Sequence, residues 1–341
     1  MARIRQIACV LAVLVAGLTQ AVPARSADAD ENLEKRALNL NNVTGEDPIK
    51  GHIVALVEDP DGTKKLLAVA VKLAEKNKTA FNYNGAYILA RSAQELKDIE
   101  ACKVFYKICA DWGVKLRSTQ RLTQSFGSLI DLLYENKQYA DAEKICQEFL
   151  EVKDADPKVV ALKSAVQRRM IQAIAKQGKA EQALKLADNY VKQRKEHWLA
   201  FELKAWVQRE LGKTDDAAKT YEEVLTRIQK DDNLQNQDRA EFTENARYIL
   251  SGVYVELNQI DKAAEHLKAI LQVKPNDPTY NNDLGYIWAD HDMNLEEAEK
   301  LVRKAIEEDR KRRKANPDLK PEEDKDNPAY IDSLGWVLYK Q

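Results

Sequence analysis

The chain has 341 residues, 44% apolar and 32% charged, with 12 glycines, 9 prolines and a formal net charge of −2. So few helix breakers beside abundant Ala, Leu, Glu, Lys and Gln favour helix over sheet. A near-neutral balance without a long block of one sign argues against a nucleic-acid binder or an anionic-lipid binder.

Arg3 and Arg5 precede an apolar run from Ile7 to Leu18, which is followed by the small-residue stretch Ala21 to Ala27. Early cations, a short apolar core and a small-residue exit predict a signal peptide over residues 1–26, cleaved after Ala24 or Ser26. The run is shorter than the ~20 residues that a bilayer-spanning helix needs. No stable membrane span is therefore expected after cleavage. Cys9 lies at the start of the run rather than its end, which argues against a lipid anchor. Losing Arg3, Arg5 and Arg25 makes the mature chain more acidic. With a compact signal and few cysteines, the expected location is periplasmic or extracellular, in a bacterium.

Residues 27–63 carry Gly45, Pro48, Gly51, Pro60 and Gly62, and are expected to form a loosely ordered leader in which only Ile49 to Val57 packs. Leu66, Val69, Val71, Leu73 and Ala74 then begin a helical pattern. Cys102 and Cys109 lie about 10.5 Å apart along a predicted helix, beyond the roughly 4.4–6.8 Å Cα separation of a disulfide. Cys146 could pair with either only if packing brought them together. Packed, reduced thiols are expected.

A six-residue phrase then recurs: Lys137 to Ala142, Gly178 to Ala183, Gly212 to Ala217, Asn258 to Ala263 and Met293 to Ala298. Each has a turn former, an acid and a closing alanine. Gly or Asn can take the left-handed conformation that ends a helix, and an acid suits the start of the next. The alanine lets two backbones approach. Ala183 and Ala217 are 34 residues apart and Ala263 and Ala298 are 35 apart, whereas the intervals from Ala142 to Ala183 and from Ala217 to Ala263 are 41 and 46. Ser251 and Gly285, on the helices before two of these turns, are again 34 apart.

Leu250, Tyr254, Ala263, Leu267 and Pro275, and again Leu284, Gly285, Trp288, Ala298 and Ala305, fall at the spacing of a known motif. In these residues the sequence resembles the tetratricopeptide repeat family, whose unit is two antiparallel helices. The resemblance implies an all-α solenoid of stacked helix pairs over residues 64–341, with about six units. It is strongest from Trp198 onward. Earlier, Ile130 and Ile171 replace the small residue at the helix contact, and a looser first unit from Phe81 to Ala110 has Ala86 and Ala101 as its contacts.

Polar loops are expected at Lys153 to Pro157, Gln229 to Arg239 and Asp309 to Asp326, the last being a solvated helix extension and loop. Pro328 to Gln341 reads as the first helix of a further unit, with Leu334 and Leu338 lacking their usual partner helix. This implies a truncated product or a helix that docks on another chain.

His52, His197, His266 and His291 are scattered and form no His-Glu-x-x-His pair, and neither a phosphate loop nor a Gly-x-Ser-x-Gly elbow occurs. No catalytic residue, cofactor or metal is expected. The resemblance implies instead a non-catalytic scaffold in the cell envelope that binds a protein or peptide in a concave groove. The groove residues would be Arg168, Gln172, Glu202, Trp206, Tyr248, Asn282, Tyr286, Asp332 and Trp336. One residue of register would instead put Trp206, Tyr286 and Trp336 in the core. Family members that grip a C-terminal carboxylate use Lys and Asn in this groove. Glu202, Trp206, Asp332 and Trp336 fit aromatic or basic segments better. The alternative is an accessory module of a longer polypeptide.

Overall fold

Short turns and long amphipathic helices alternate along the chain, as the phrase spacing requires. The computed structural model describes residues 30–152, 157–194, 197–320 and 324–341. The predicted signal segment, residues 153–156 of the first polar loop and residues 321–323 of the last lie outside the described residues. Sixteen α-helices and no strand occur among the described residues. Two compact units divide between Leu129 and Ile130.

The first unit opens with α1 (Asp30–Asn39), α2 (Glu46–Val57) and α3 (Pro60–Lys76). This differs from the expected loose leader. Leu40 and Leu56 are buried and Thr63 Oγ1 donates to Leu56 O at 2.6 Å. Asn41 fastens the segment further. Its Nδ2 donates to Ala80 O at 2.8 Å, and its Oδ1 accepts from Asn82 N at 2.9 Å. A Cβ on Gly85 would stand 2.4 Å from Asn41 Oδ1, so that contact requires glycine. Most of the glycines and prolines that suggested looseness stand at helix starts, Gly45 as the N-cap of α2 and Pro60 opening α3, whereas Gly51 is carried within α2. Then come α4 (Tyr83–Glu95) and α5 (Ile99–Lys115), the first helix pair, with Ala86 and Ala101 buried between its members. Phe81 and Phe105 meet edge to face at 5.5 Å.

Helix α6 (Thr119–Glu135) crosses the division. The second unit continues with α7 (Tyr139–Leu150), α8 (Pro157–Lys176), α9 (Ala180–Gln193), α10 (Trp198–Glu210) and α11 (Thr214–Lys230). It ends with α12 (Asn236–Glu256), α13 (Ile260–Val273), α14 (Pro278–Asp290), α15 (Leu295–Lys314) and α16 (Pro328–Lys340). Ala142, Ala183, Ala217, Ala263 and Ala298, the phrase-closing alanines, are all fully buried. Gly285 shows why small residues face them, because a Cβ there would lie 2.7 Å from Val302 Cγ2 and 2.8 Å from Ala298 O.

Seven joints share one geometry. Lys97, Arg117, Lys137, Gly178, Gly212, Asn258 and Asp292 each have a left-handed φ between 49° and 73°. The N–H of the following residue bonds the carbonyl five positions back, as in Asp98 N to Ala93 O and Met293 N to Trp288 O. This is the Schellman closure, which satisfies carbonyls that a helix end leaves open. Four of these joint residues open the recurring phrase and Asp292 directly precedes its fifth copy, and acids do occupy the first turn of α7, α9, α11, α13 and α15.

The expected loop from Gln229 to Arg239 is mostly helix. Only residues 231–235 separate α11 from α12, so the extra residues of the long interval lengthen both helices. Arg239 ties the turn by donating to the carbonyls of Ile228, Gln229, Asp231 and Leu234. The last polar stretch behaves as read: α15 extends to Lys314, and Arg310 and Arg313 both hold Asp326 of the acidic segment.

Candidate surface for partner binding

Counting from the small-residue position of each first helix, two rows run across the second unit. Three residues before it stand Arg168, Glu202, Tyr248, Asn282 and Asp332; one residue after it stand Gln172, Trp206, Gly252, Tyr286 and Trp336. All belong to first helices, α8, α10, α12, α14 and α16, whose opposite faces supply the core residues Ile174, Leu203, Leu250, Leu284 and Val337.

At the α8–α10 end, charges close on each other. Arg168 pairs with Glu202, Lys176 Nζ lies 2.6 Å from Glu210 and Arg209 Nε lies 3.1 Å from Glu256. Trp206 is half-buried, packed with the cluster that contains Ile171 and Ala183, and Lys176 Nζ sits 5.5 Å from its ring centre. For Trp206 the register alternative holds, since much of the ring is core. Gln172 is half-buried beside it.

The α12–α16 end differs. Tyr248, Tyr286 and Trp336 remain 39%, 41% and 37% exposed, which places these rings on the surface and not between helices. Tyr248 meets Tyr280 edge to face at 5.3 Å and donates its hydroxyl to Asp283 at 2.8 Å. Tyr280 donates in turn to Glu244 at 2.7 Å. Trp336 stacks on Tyr339 at 5.5 Å, and Asp332 is exposed. Asn282 is a correction: only 7% exposed, it lies under the surface, with Nδ2 3.3 Å from Asp283 Oδ1 and its own Oδ1 without a partner. The next residue, Asp283, carries the carboxylate that the neighbouring helix meets. Burial raises its pKa above the ordinary aspartate value, against hydrogen bonds from Tyr248 and Asn282. Counting one row per helix missed it; the Asn-Asn-Asp run at 281–283 was the available signal.

Helix α16 lays Tyr330, Ser333 and Val337 on α14 and α15. Leu334 joins that cluster while Leu338 stays 47% exposed, so only the second of the two expected unpartnered leucines is uncovered.

A separate cleft of about 530 Å³ opens among α11, α12 and α13. His266, 7% exposed, stacks on Tyr254 at 5.5 Å and places Nε2 3.2 Å from Glu222, which also accepts from Tyr254 at 2.8 Å. Arg247 lies 3.4 Å from His266 Nδ1 on the other side of the ring. These hydrogen bonds hold Glu222 below the usual carboxylate range, His266 contributing most.

Residues 169–233 and 253–313 match the tetratricopeptide repeat family, spanning from within α8 through α11 and from the end of α12 through most of α15. Over these two stretches the chain is similar to tetratricopeptide repeats. It is 30% identical over 97 residues to the TPR repeat-containing protein PA4667 of Pseudomonas aeruginosa. That match covers 28% of this chain and only 14% of the relative's length. Among solved structures the repeat protein is similar to BtubC from P. vanneervenii, at 17% identity and a TM-score of 0.45, covering 60% of this chain and 83% of that one. It is also similar to MamA (41-end) from Desulfovibrio magneticus RS-1, at 19% identity and a TM-score of 0.35, covering 52% and 94%. Likenesses this distant say nothing about a shared partner. Among the described residues no helix is long and apolar enough to cross a membrane.

Proposed function

We propose that this repeat protein is a non-catalytic scaffold of the bacterial cell envelope that holds a partner polypeptide against the first-helix face of its second unit. The observation that carries this reading is that Tyr248, Tyr286 and Trp336, on α12, α14 and α16, remain exposed at the two register positions of the first-helix face. Rings of this kind combine large contact area with few rotatable bonds, which makes them effective anchors at interfaces. Export is supported by the basic, apolar and small-residue succession of residues 1–26.

Site-specific photo-crosslinking in envelope extract tests the face. A benzophenone amino acid in place of Tyr286 is expected to trap one discrete protein, whereas the same group in place of Glu297 on α15 traps none. Alanine at Tyr248 and Trp336 in the Tyr286-labelled chain should abolish the adduct. An adduct that persists removes this face from the account. N-terminal sequencing of the mature chain tests export, with a new terminus expected at residue 25 or 27 and an intact Met1 contradicting it.

A further inference from the structure

The carboxylates of the first-helix face are treated unequally. Glu202, Glu210 and Glu256 each have a cation supplied by the chain: Arg168, Lys176 and Arg209. Asp283, half-buried on the same face, has none among the described residues. Its hydrogen bonds come from the neutral Tyr248 hydroxyl and Asn282 amide. Beneath it, Asn282 Oδ1 lacks any donor although its residue is 93% buried by the 7% that remains exposed. A carboxylate without a counter-charge thus lies against Tyr248, with Tyr286 one helical turn further along α14. Leaving a desolvated carboxylate without a cation is costly, and burial indeed pushes this group toward its neutral form.

We propose that Asp283 receives a basic side chain of the bound partner segment, with Tyr248 and Tyr286 packing against its aliphatic stem and charged head. The proposal rests on the first-helix face being the binding surface. A guanidinium matches the site best, since it offers several planar donors to the carboxylate while stacking on an aromatic ring. An ammonium supplies the same charge with fewer donors. The occupant is thus a protein segment carrying Arg or Lys beside apolar residues, and an acidic or phosphorylated segment is disfavoured by the same charge.

The test uses the full mature chain and three fluorescein-labelled peptides, Gly-Trp-Arg-Trp-Gly and its lysine and citrulline analogues, with binding read by anisotropy. The arginine or lysine peptide is expected to bind about tenfold or more tighter than the citrulline peptide, the scale of one charge-assisted hydrogen bond. Asp283→Asn should erase that preference, and Glu297→Gln on α15 should preserve it. Equal affinity for all three peptides, or a preference that survives Asp283→Asn, overturns the proposal. The two readings fail separately. If the peptides bind equally and alanine at Tyr248, Tyr286 and Trp336 abolishes binding, the face stands and the cation site falls. If that triple variant binds every peptide as the parent does, the face itself is wrong and the proposal falls with it.

Discussion

Gly285 and Gly335 occupy one register position on α14 and α16, yet their surroundings differ. A side chain at Gly285 would strike Val302 and the backbone of Ala298, while nothing lies within 4 Å of a Cβ at Gly335. Gly285→Ala should therefore cost about 1–3 kcal/mol by overpacking, whereas Gly335→Ala should stabilise by up to about 1 kcal/mol through helix propensity. Urea unfolding of both variants checks the pair. Asp283 gives a pH-dependent prediction. Its folded pKa is raised, so its ionisation weakens the fold as pH climbs from the ordinary aspartate value through the folded one. Asp283→Asn should consequently raise Tm at pH 7 and leave it unchanged at pH 3, provided that no partner is bound. Cys102, Cys109 and Cys146 are free and buried, and burial pushes Cys102 and Cys146 up to about 12. Iodoacetamide at pH 8 should label none of them in the native chain and all three in urea. The helical spacing of Cys102 and Cys109 already excluded a bridge between those two, whereas the free state of Cys146 depends on packing. The asymmetry between Asp283 and its neighbours was not legible in the sequence, since it depends on which cations the preceding helix delivers.

At the scale of the helix pair, the joints separate what residue identity reveals from what it conceals. Gly178, Gly212 and Asn258 announced their left-handed turns because those residues tolerate positive φ. Lys97 and Arg117 adopt the same conformation with side chains that carry no such signature, so the first unit was read from Ala86 and Ala101 and not from its turn. Glycine at either position should stabilise the protein by about 0.5–1 kcal/mol by removing the Cβ strain, measured by urea unfolding. The N-terminal helices were missed for the opposite reason. Gly45, Pro60 and Gly62 read as breakers, although each stands at or within a helix's first turn, where a breaker does little harm.

Across the second unit, consecutive pairs are tied by polar links as well as by apolar cores. Glu143 accepts from Lys179 at 2.8 Å, and Glu222 joins α11 to α12 and α13 through Tyr254 and His266. Burial pushes Glu143 upward, but bonds from Lys179 and Gln177 outweigh it, so both glutamates have lowered pKa values. The sign follows: their contribution is complete above the ordinary glutamate value and disappears as pH falls through the lowered ones. Glu222→Gln should thus flatten the acid limb of the stability curve without altering the alkaline side, as chemical unfolding between pH 3 and 8 would display. Because each pair in a repeat array leans mainly on its neighbours, such losses should spread locally.

The seven identical joints carry a consequence for how this molecule can change. Their hydrogen bonds join main-chain atoms to main-chain atoms, and the occupants range from glycine to arginine. Phase is thereby kept by the peptide backbone itself. Individual modules are free to drift in composition or to grow by whole turns, as α11 and α12 have done, while the ensemble stays in step. A search that weighs side chains will therefore lose sight of a module long before the architecture has lost it.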